Sequence, residues 1–528
     1  MCGIVAIFHS KSNIKSKLLQ ASALLRHRGP DASGILCGQD YGIAHERLAI
    51  IDPTSGAQPF VSKQGTILAV NGEIYNYAKY KHYATQTKSD CESIMHLYDD
   101  GYRGQHLVDK LDGIYSFVIY NTQSKQLFVA RDPFGVVPLY YGYGYDGCIA
   151  FASEMKALKD IVGSVKEFPP GSFYNGETIC RLTPSWPLKT AEENIDTCLD
   201  NIFKKLTFAT TKRLMSSVQY GFLLSGGLDS SIIAALGSKL VTKPINTFCI
   251  GLEGSEDTKY SQIMADHIGS NHYAFTYTVD EGWDAIKNVI FHLETFDVTT
   301  IRAGVPLYLL ARKIRALGCK MVLSGEGSDE IFGGYLYFHH AKNEREFHDE
   351  TVRKVLALHR YDNLRANKAM AAFGVECRVP FLDRDFVEYC MRDINPLVKM
   401  PTNKYEKWIL RKAFEKHLPT EIAWRQKEQF SDGVGHAWID TLKKKTFEQC
   451  GHLMDKAKNF FPVSTPKTPE AFYYRMLFES MFNIPGSVQT VPYEDSCACS
   501  TGIAAQWSGN EIHDASGRSI SVHKDYKQ

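Results

Sequence analysis

No stretch of this 528-residue chain approaches the roughly 20 consecutive apolar residues a membrane-spanning helix needs. An excess of one charge is also missing. Sixty Lys and Arg against 59 Asp and Glu leave a formal net charge of +1, which excludes whole-chain attraction to nucleic acid or anionic membrane. The chain has no Gly-Lys pair, so it has no Walker-type phosphate loop. Its thirteen cysteines lack metal-ligand spacing, and the one close pair, Cys497 and Cys499, sits in a polar tail. A basic segment followed by an apolar run and a cleavage site is not found at the start. These absences imply a reduced, cytoplasmic protein in which most thiols are small apolar fillers.

What is present divides into two textures. The length allows roughly two to four domains. Residues 1 to about 180 carry short apolar or alternating runs ("GIVAIF", "TILAVNGEIY", "GIYSFVIYN", "KQLFVARD") punctuated by Gly, Pro, Asn and Asp, with one clear helix at Cys91–Asp100. This pattern predicts a largely antiparallel α+β half. A proline-bearing linker, "TPSWPLKT", follows. Beyond it strands and helices alternate, and Ala303, Leu307, Leu310, Ile314 and Leu317 mark one apolar helix face. That alternation predicts a parallel α/β sheet with added helices. The expected boundaries are 1–185 and 186–528, with a loop-rich tail from about 485.

Two loops in the second half have the character of a phosphate cradle. "LLSGGLDSS" (223–231) takes a buried strand through two glycines into a helix, whose N-terminus offers unpaired N–H groups to an anion. "SGEGSDE" (324–330) also leaves a buried strand, and ligands of open α/β sheets bind beyond the carboxyl ends of strands. Its Glu326, Asp329 and Glu330 would repel a triphosphate unless some of them act through Mg²⁺.

In the first half the question is Cys2. With Met1 removed, its α-amine can take the thiol proton, because a free chain terminus titrates at about 8. Nucleophile and base then sit in one residue. Asn71 and Gly72 in "NGE" offer an amide and a backbone N–H to an oxyanion. Arg47 suits a carboxylate, and Glu73 and Asp90 suit an ammonium group.

"SGGLDSS" looks like the pyrophosphate loop of the ATP pyrophosphatases. "MVLSGEGSDEIFGGY", "ANKAMAAFGVECRVPFLD" and "WRQKEQFSDGVG" resemble the glutamine-hydrolysing asparagine synthetases, and the resemblance runs from Cys2 into the tail. It implies an N-terminal nucleophile hydrolase sandwich joined to an ATP pyrophosphatase domain. The implied chemistry is asparagine synthesis from aspartate, ATP and glutamine through an aspartyl-adenylate.

The same resemblance implies that Cys2, Arg47, Leu48, Ala49, Ile50, Ile51, Asn71, Gly72, Glu73 and Asp90 form the glutamine site, with "RHRGPD" (26–31) covering it. Leu223, Ile250, Ser324 and Gly325 would hold adenosine. Ser225, Gly226, Gly227, Asp229 and Ser230 would hold pyrophosphate, with Asp229 and Asp329 on the metal. Glu326 and Lys427 would act on the adenylate step and the phosphate charge. A homodimer is compatible with the resemblance; nucleic-acid and membrane partners are not implied. The ATP loops do not name the acceptor acid, and a different carboxylic acid, an ammonia-only synthetase and a non-enzymatic sensor are the competing readings. The segment around Arg378 is where residues gripping aspartate are to be sought. A chain that retains Met1 is expected to show the nucleophile blocked in an otherwise intact pocket.

Overall fold

The computed structural model describes residues 1–11, 13–80, 86–192, 194–401, 405–426 and 436–493, together with Trp507. The first domain holds twelve strands: β1 (Gly3–Phe8), β2 (Ala32–Cys37), β3 (Tyr41–Arg47), β4 (Phe60–Val61), β5 (Thr66–Ile74), β6 (Gly113–Asn121), β7 (Leu127–Arg131), β8 (Tyr140–Tyr143), β9 (Ile149–Ala152), β10 (Ser164–Glu167), β11 (Ser172–Tyr174) and β12 (Ile179–Arg181). They form two six-stranded sheets, ordered β10-β8-β9-β1-β3-β2 and β12-β11-β7-β6-β5-β4. The pairings of both sheets are antiparallel.

The unbroken apolar run of β1 is explained by its place in the first sheet. Side chains alternate across a strand. Ile4, Ala6 and Phe8 point into the core between the sheets with Ile67, Ala69, Val118 and Val129. Val5 and Ile7 point the other way, against Ile14, Leu18 and Ala21 of the helix Ile14–Ala23. A strand covered on both faces reads as a continuous hydrophobic segment. The outer face of the second sheet is closed by the helix Glu92–Asp99, through Ile94, Met95 and Leu97.

The second domain is built on five parallel strands: β13 (Tyr220–Leu223), β14 (Asn246–Gly251), β15 (Asn271–Thr276), β16 (Met321–Leu323) and β17 (Glu376–Arg378). Their order is β15-β14-β13-β16-β17. The direction of winding therefore reverses between β13 and β16, and a crevice at the carboxyl ends of strands opens where this happens. The helices Leu228–Leu240, Glu256–Ile268 and Val298–Ala316 connect the strands, and the last buries Ala303, Leu307, Leu310 and Ile314 of the expected apolar face, while Leu317 caps its end and is exposed. The expected loop-rich tail lies, beyond Tyr493, outside the described residues except for Trp507.

The two domains are joined by buried charge as well as apolar contact. Glu294 ends the helix Val279–Leu293 in a left-handed conformation (φ +56°). From there its carboxylate accepts the N–H groups of Met155 (2.9 Å) and Lys156 (2.8 Å) in the first domain. Lys368, fully buried, donates to the same carboxylate at 2.6 Å and to the Tyr140 hydroxyl at 3.0 Å. Arg28 reaches Glu154 at 2.7 Å and Asn367 of the second domain at 3.0 Å. Glu294→Gln leaves a buried lysine without its counter-charge, a change that costs about 3–5 kcal/mol when one partner of a buried pair is removed. A clear fall in the thermal midpoint by scanning calorimetry is the expected outcome.

Candidate active sites

Cys2 immediately precedes β1 at the domain boundary, and two strands bring its partners to it. Residues 47–49, at the end of β3, place Leu48 N–H 3.4 Å from Cys2 Sγ. Burial pushes the thiol pKa up, while the nearby N-terminal ammonium, the Leu48 N–H and Arg47 pull it down. Arg28, in the loop 26–31, donates to the Cys2 carbonyl at 2.8 Å. Gly29 must be glycine, because a Cβ there would lie 2.1 Å from Glu46 O. Asp31 ties the loop down by accepting Ala49 N–H (2.8 Å) and pairing with Lys320 of the second domain (2.8 Å).

Arg47 donates to the carbonyls of Asp52 (2.5 Å), Ile51 (3.4 Å) and Pro53 (3.4 Å). Among the described residues no carboxylate pairs with it, so its charge is not already neutralised by an acid. Leu48, Ala49 and Ile50 are buried beside it and Ile51 is half-buried. On β5, Asn71 is wholly buried, gives Nδ2 to Ser153 Oγ at 3.5 Å, and leaves Oδ1 without a partner among the described residues. Gly72 has φ +149°, and a Cβ there would lie 2.1 Å from Ile114 O on the paired strand β6.

Glu73 is buried, and its Oε2 also has no hydrogen-bond partner among the described residues. Burial and then the Glu376 carboxylate push its pKa well up, against the pull of Arg378. Asp90 accepts Ile74 N–H at 2.7 Å, and burial raises its carboxyl to about 6. The residues singled out in the sequence thus form a real cluster: a thiol, a backbone donor, a buried amide and two buried carboxylates.

Met1 occupies the remaining side. Its ammonium lies 3.4 Å from Glu376 Oε2, and its sulfur accepts from Asn367 Nδ2 at 3.5 Å. The Cys2 nitrogen is consequently an amide in this chain, without a basic lone pair.

In the second domain both glycine loops meet at the switch point. Gly226 (φ +74°) runs so close to the next helix that a Cβ would lie 2.4 Å from the Tyr260 main chain. Ser225 N–H donates to Ser230 Oγ at 3.2 Å, which folds the loop over the start of the helix Leu228–Leu240, and Gly227 caps it. Gly325 abuts this turn: a Cβ there would lie 2.8 Å from both Asp229 C and Ser230 N. The crevice between the loops is lined by Leu223, Ile250, Phe248 and Leu307 on an apolar side, and by Ser225, Asp229, Ser324, Glu326 and Asp329 on a polar one.

Glu326 is held by Arg365 Nη2 at 3.1 and 3.2 Å, and Arg365 Nη1 is fixed by Asp362 at 2.6 Å. Asp229 and Asp329 converge on Lys407 Nζ, at 2.6 and 2.5 Å. Lys407 stands in a left-handed conformation (φ +57°) that aims it there. The third acid of the loop, Glu330, does not line the crevice. It is buried against the Tyr335 hydroxyl, and burial with Asp362 and Asp329 nearby pushes it up to about 8. Lys427 lies outside the described residues.

Arg365, Lys407 and Arg411 line the crevice from outside every quoted motif, and Arg425 lines it from "WRQKEQFSDGVG", where no role was given to it. Arg378, expected near aspartate, is turned elsewhere: the period of two along β17 points Glu376 and Arg378 to the first domain. Its guanidinium faces Glu73 at 3.1 Å.

A buried N-terminal thiol in an antiparallel sandwich, joined to a parallel sheet with two glycine loops at its switch point, is the arrangement of a glutamine amidotransferase coupled to an ATP-using synthetase. Family comparison agrees. A glutamine amidotransferase domain matches residues 1–174, and asparagine synthase matches residues 202–348 and 340–490. The chain is 48% identical to the glutamine-hydrolysing asparagine synthetase of Zea mays, over 99% of this chain and 94% of that protein. It is 47% identical to asparagine synthetase B of Escherichia coli (strain K12), over 99% of each. The chain belongs to the glutamine-hydrolysing asparagine synthetases, ATP-dependent ligases that make asparagine from aspartate with glutamine as nitrogen source.

Gly72 gives the sharpest local test of the first site. Gly72→Ala pushes β5 off Ile114 and displaces the donor pair of Asn71 and Gly72. Glutamine-dependent synthesis is expected to fall about 100-fold or more, the scale of losing an oxyanion donor, while synthesis from added ammonia persists. Steady-state rates with each nitrogen source check it.

Proposed function

We propose that the first domain releases ammonia from glutamine at Cys2 and that the second activates aspartate as an adenylate. With Met1 removed, the Cys2 amine accepts the thiol proton as sulfur attacks the amide carbon and gives a proton to departing ammonia; water then hydrolyses the glutamyl thioester, releasing glutamate and restoring the thiol. The Asn71 amide and Gly72 N–H hold the oxyanion. Arg47 takes the α-carboxylate of glutamine, Glu73 and Asp90 take the α-ammonium, and residues 48–51 form the wall.

In the second domain, adenosine rests on Leu223, Ile250, Ser324 and Gly325, and pyrophosphate rests in residues 225–230. The aspartate side-chain carboxylate attacks the α-phosphorus, and pyrophosphate leaves. Ammonia then attacks the acyl carbon, Glu326 takes its proton, and asparagine and AMP are released. Lys427, by the resemblance, would neutralise charge on the phosphates.

The residues fit a Mg²⁺ ion, because Asp229 and Asp329 already converge on a cation, the Lys407 ammonium. Two carboxylates leave the remaining positions to phosphate oxygens and water, the usual Mg²⁺ arrangement. The ion would neutralise triphosphate charge. A cytoplasmic location is supported by the described cysteines, all free thiols. Among the described residues no helix is long and apolar enough to cross a membrane.

The observation that carries this reading is the cluster around Cys2, in which Asn71 Oδ1 and Glu73 Oε2 keep open hydrogen-bonding capacity, set against the domain that bears both glycine loops. Cys2→Ala tests it: glutamine-dependent synthesis disappears while ammonia-dependent synthesis and aspartate-dependent exchange of pyrophosphate into ATP survive. No exchange with aspartate sinks the choice of acceptor.

The raised Asp90 adds a pH dependence. Above about 6 its carboxylate is charged and attracts the glutamine ammonium; below that it is neutral. Glutamine affinity, measured by calorimetry on the Cys2→Ala protein, should therefore weaken as pH falls through about 6. Asp90→Asn should bind weakly and with little change over the same range.

A further inference from the structure

Arg378 belongs to the synthetase domain, yet its guanidinium is built into the glutaminase site. Nε donates to Glu376 Oε1 at 2.7 Å, and Nη1 donates to the carbonyls of Arg213 (2.8 Å) and Met215 (2.5 Å). These bonds fix the plane of the fork. Nη2 is left facing Glu73 Oε2 at 3.1 Å, an ion-pair distance without hydrogen-bond alignment. The carbonyl of the same residue accepts Ser324 N–H at 2.9 Å, at the start of the second glycine loop. One residue thus touches the first domain's carboxylate through its side chain and the ATP loop through its main chain.

We propose that Arg378 is a positioning residue of the glutaminase site, orienting Glu73 for the α-ammonium of glutamine and opposing its protonation. The proposal rests on the assignment of that ammonium to Glu73. The surroundings make the need plain. Glu73, Glu376 and Asp90 are three buried carboxylates in one neighbourhood, and Arg378 with the N-terminal ammonium are the cations facing them. Removing the guanidinium leaves Glu73 beside Glu376 with its main counter-charge gone, and a carboxyl in that setting holds a proton more firmly still. A neutral carboxyl has no charge to offer an ammonium. Lysine supplies the charge but not the fork, so it restores only part of the effect.

The test compares Arg378→Met, Arg378→Lys, Glu73→Gln and the double variant Glu73→Gln/Arg378→Met, in the full-length protein, by glutaminase kinetics and by ammonia-dependent asparagine synthesis. Arg378→Met should raise the KM for glutamine about tenfold or more with kcat changed far less, the signature of lost binding. Arg378→Lys should recover part of that loss, and both variants should keep ammonia-dependent synthesis within about twofold of the parent. The double variant should match Glu73→Gln rather than show the product of the two single effects, because the residues act as one unit.

An unchanged KM in Arg378→Met, multiplicative effects in the double variant, or parallel loss of both activities overturns the proposal. If Glu73→Gln itself leaves KM unchanged, the Glu73 assignment falls and this proposal with it. If Glu73→Gln raises KM and Arg378→Met does not, only the role of Arg378 falls. Should Arg378→Met not accumulate as folded protein, Arg378→Lys against Glu73→Gln carries the same comparison.

Discussion

The seam of buried charge between the domains is the constraint on which both sites depend. Glu294, Lys368, Lys156, Glu154 and Arg28 form one side of it; Glu73, Arg378, Glu376 and the N-terminal ammonium form the other. Ions buried like this are strongly unfavourable alone and tolerable only when their partners are held in place. Those partners lie in different domains, so the relative placement of the domains is specified more sharply than apolar contact would specify it. Arg28 shows the consequence for chemistry. The guanidinium that pairs with Glu154 and reaches Asn367 also holds the Cys2 carbonyl. A shift at the seam is therefore a shift at the nucleophile.

Close backbone approach is the second organising feature. At Gly29, Gly72, Gly226 and Gly325, a Cβ would fall between 2.1 and 2.8 Å from main-chain atoms of a neighbouring segment, which cannot move aside as a flexible side chain can. Two of these glycines lie at each site. In the first domain they bring the loop 26–31 onto β3 and set β5 against β6. In the second they let the pyrophosphate loop and the "SGEGSDE" loop share one crevice. The start of the helix Leu228–Leu240 borders that crevice and favours an anion there.

These local features were legible in the sequence because glycine spacing, strand-to-helix transitions and an apolar run are written in neighbouring residues. The "GIVAIF" run marks β1, and "LLSGGLDSS" marks a strand, a cradle and a helix. What was not legible depends on partners far along the chain. Arg378 meets Glu73 from a distant part of the chain, and nothing in "GVECRVPFLD" says which face of a short strand looks at which domain. Lys407 is aimed at two aspartates by a single left-handed residue in "YEKWIL". Glu330 reads as one more acid on a metal-binding loop, and only packing against Tyr335 and Asp362 removes it from the crevice. Glu294 reads as the end of a helix, while its work is to cap residues 155 and 156 in another domain.

The crevice sets five carboxylates, Asp229, Asp257, Glu326, Asp329 and Asp362, against four cations, Arg365, Lys407, Arg411 and Arg425, so most of its charge is offset before any nucleotide is considered. Asp229 and Asp329 are matched by Lys407, and Glu326 by Arg365. Paired this way, acids and bases lining one cavity neither repel one another nor drive the loops apart, so the shape of the site does not depend on what fills it. The pairing also stores the groups that a triphosphate and its metal would call on. Asp229 and Asp329 would hold a divalent cation more strongly than a lysine ammonium, and Lys407 would then be free to turn to phosphate oxygens. Arg365 answers to a different acid, Glu326, and to Asp362 behind it. The part of the crevice assigned to proton transfer is thereby kept electrostatically separate from the part assigned to phosphate, although Glu326 and Asp329 leave the same strand on one short loop.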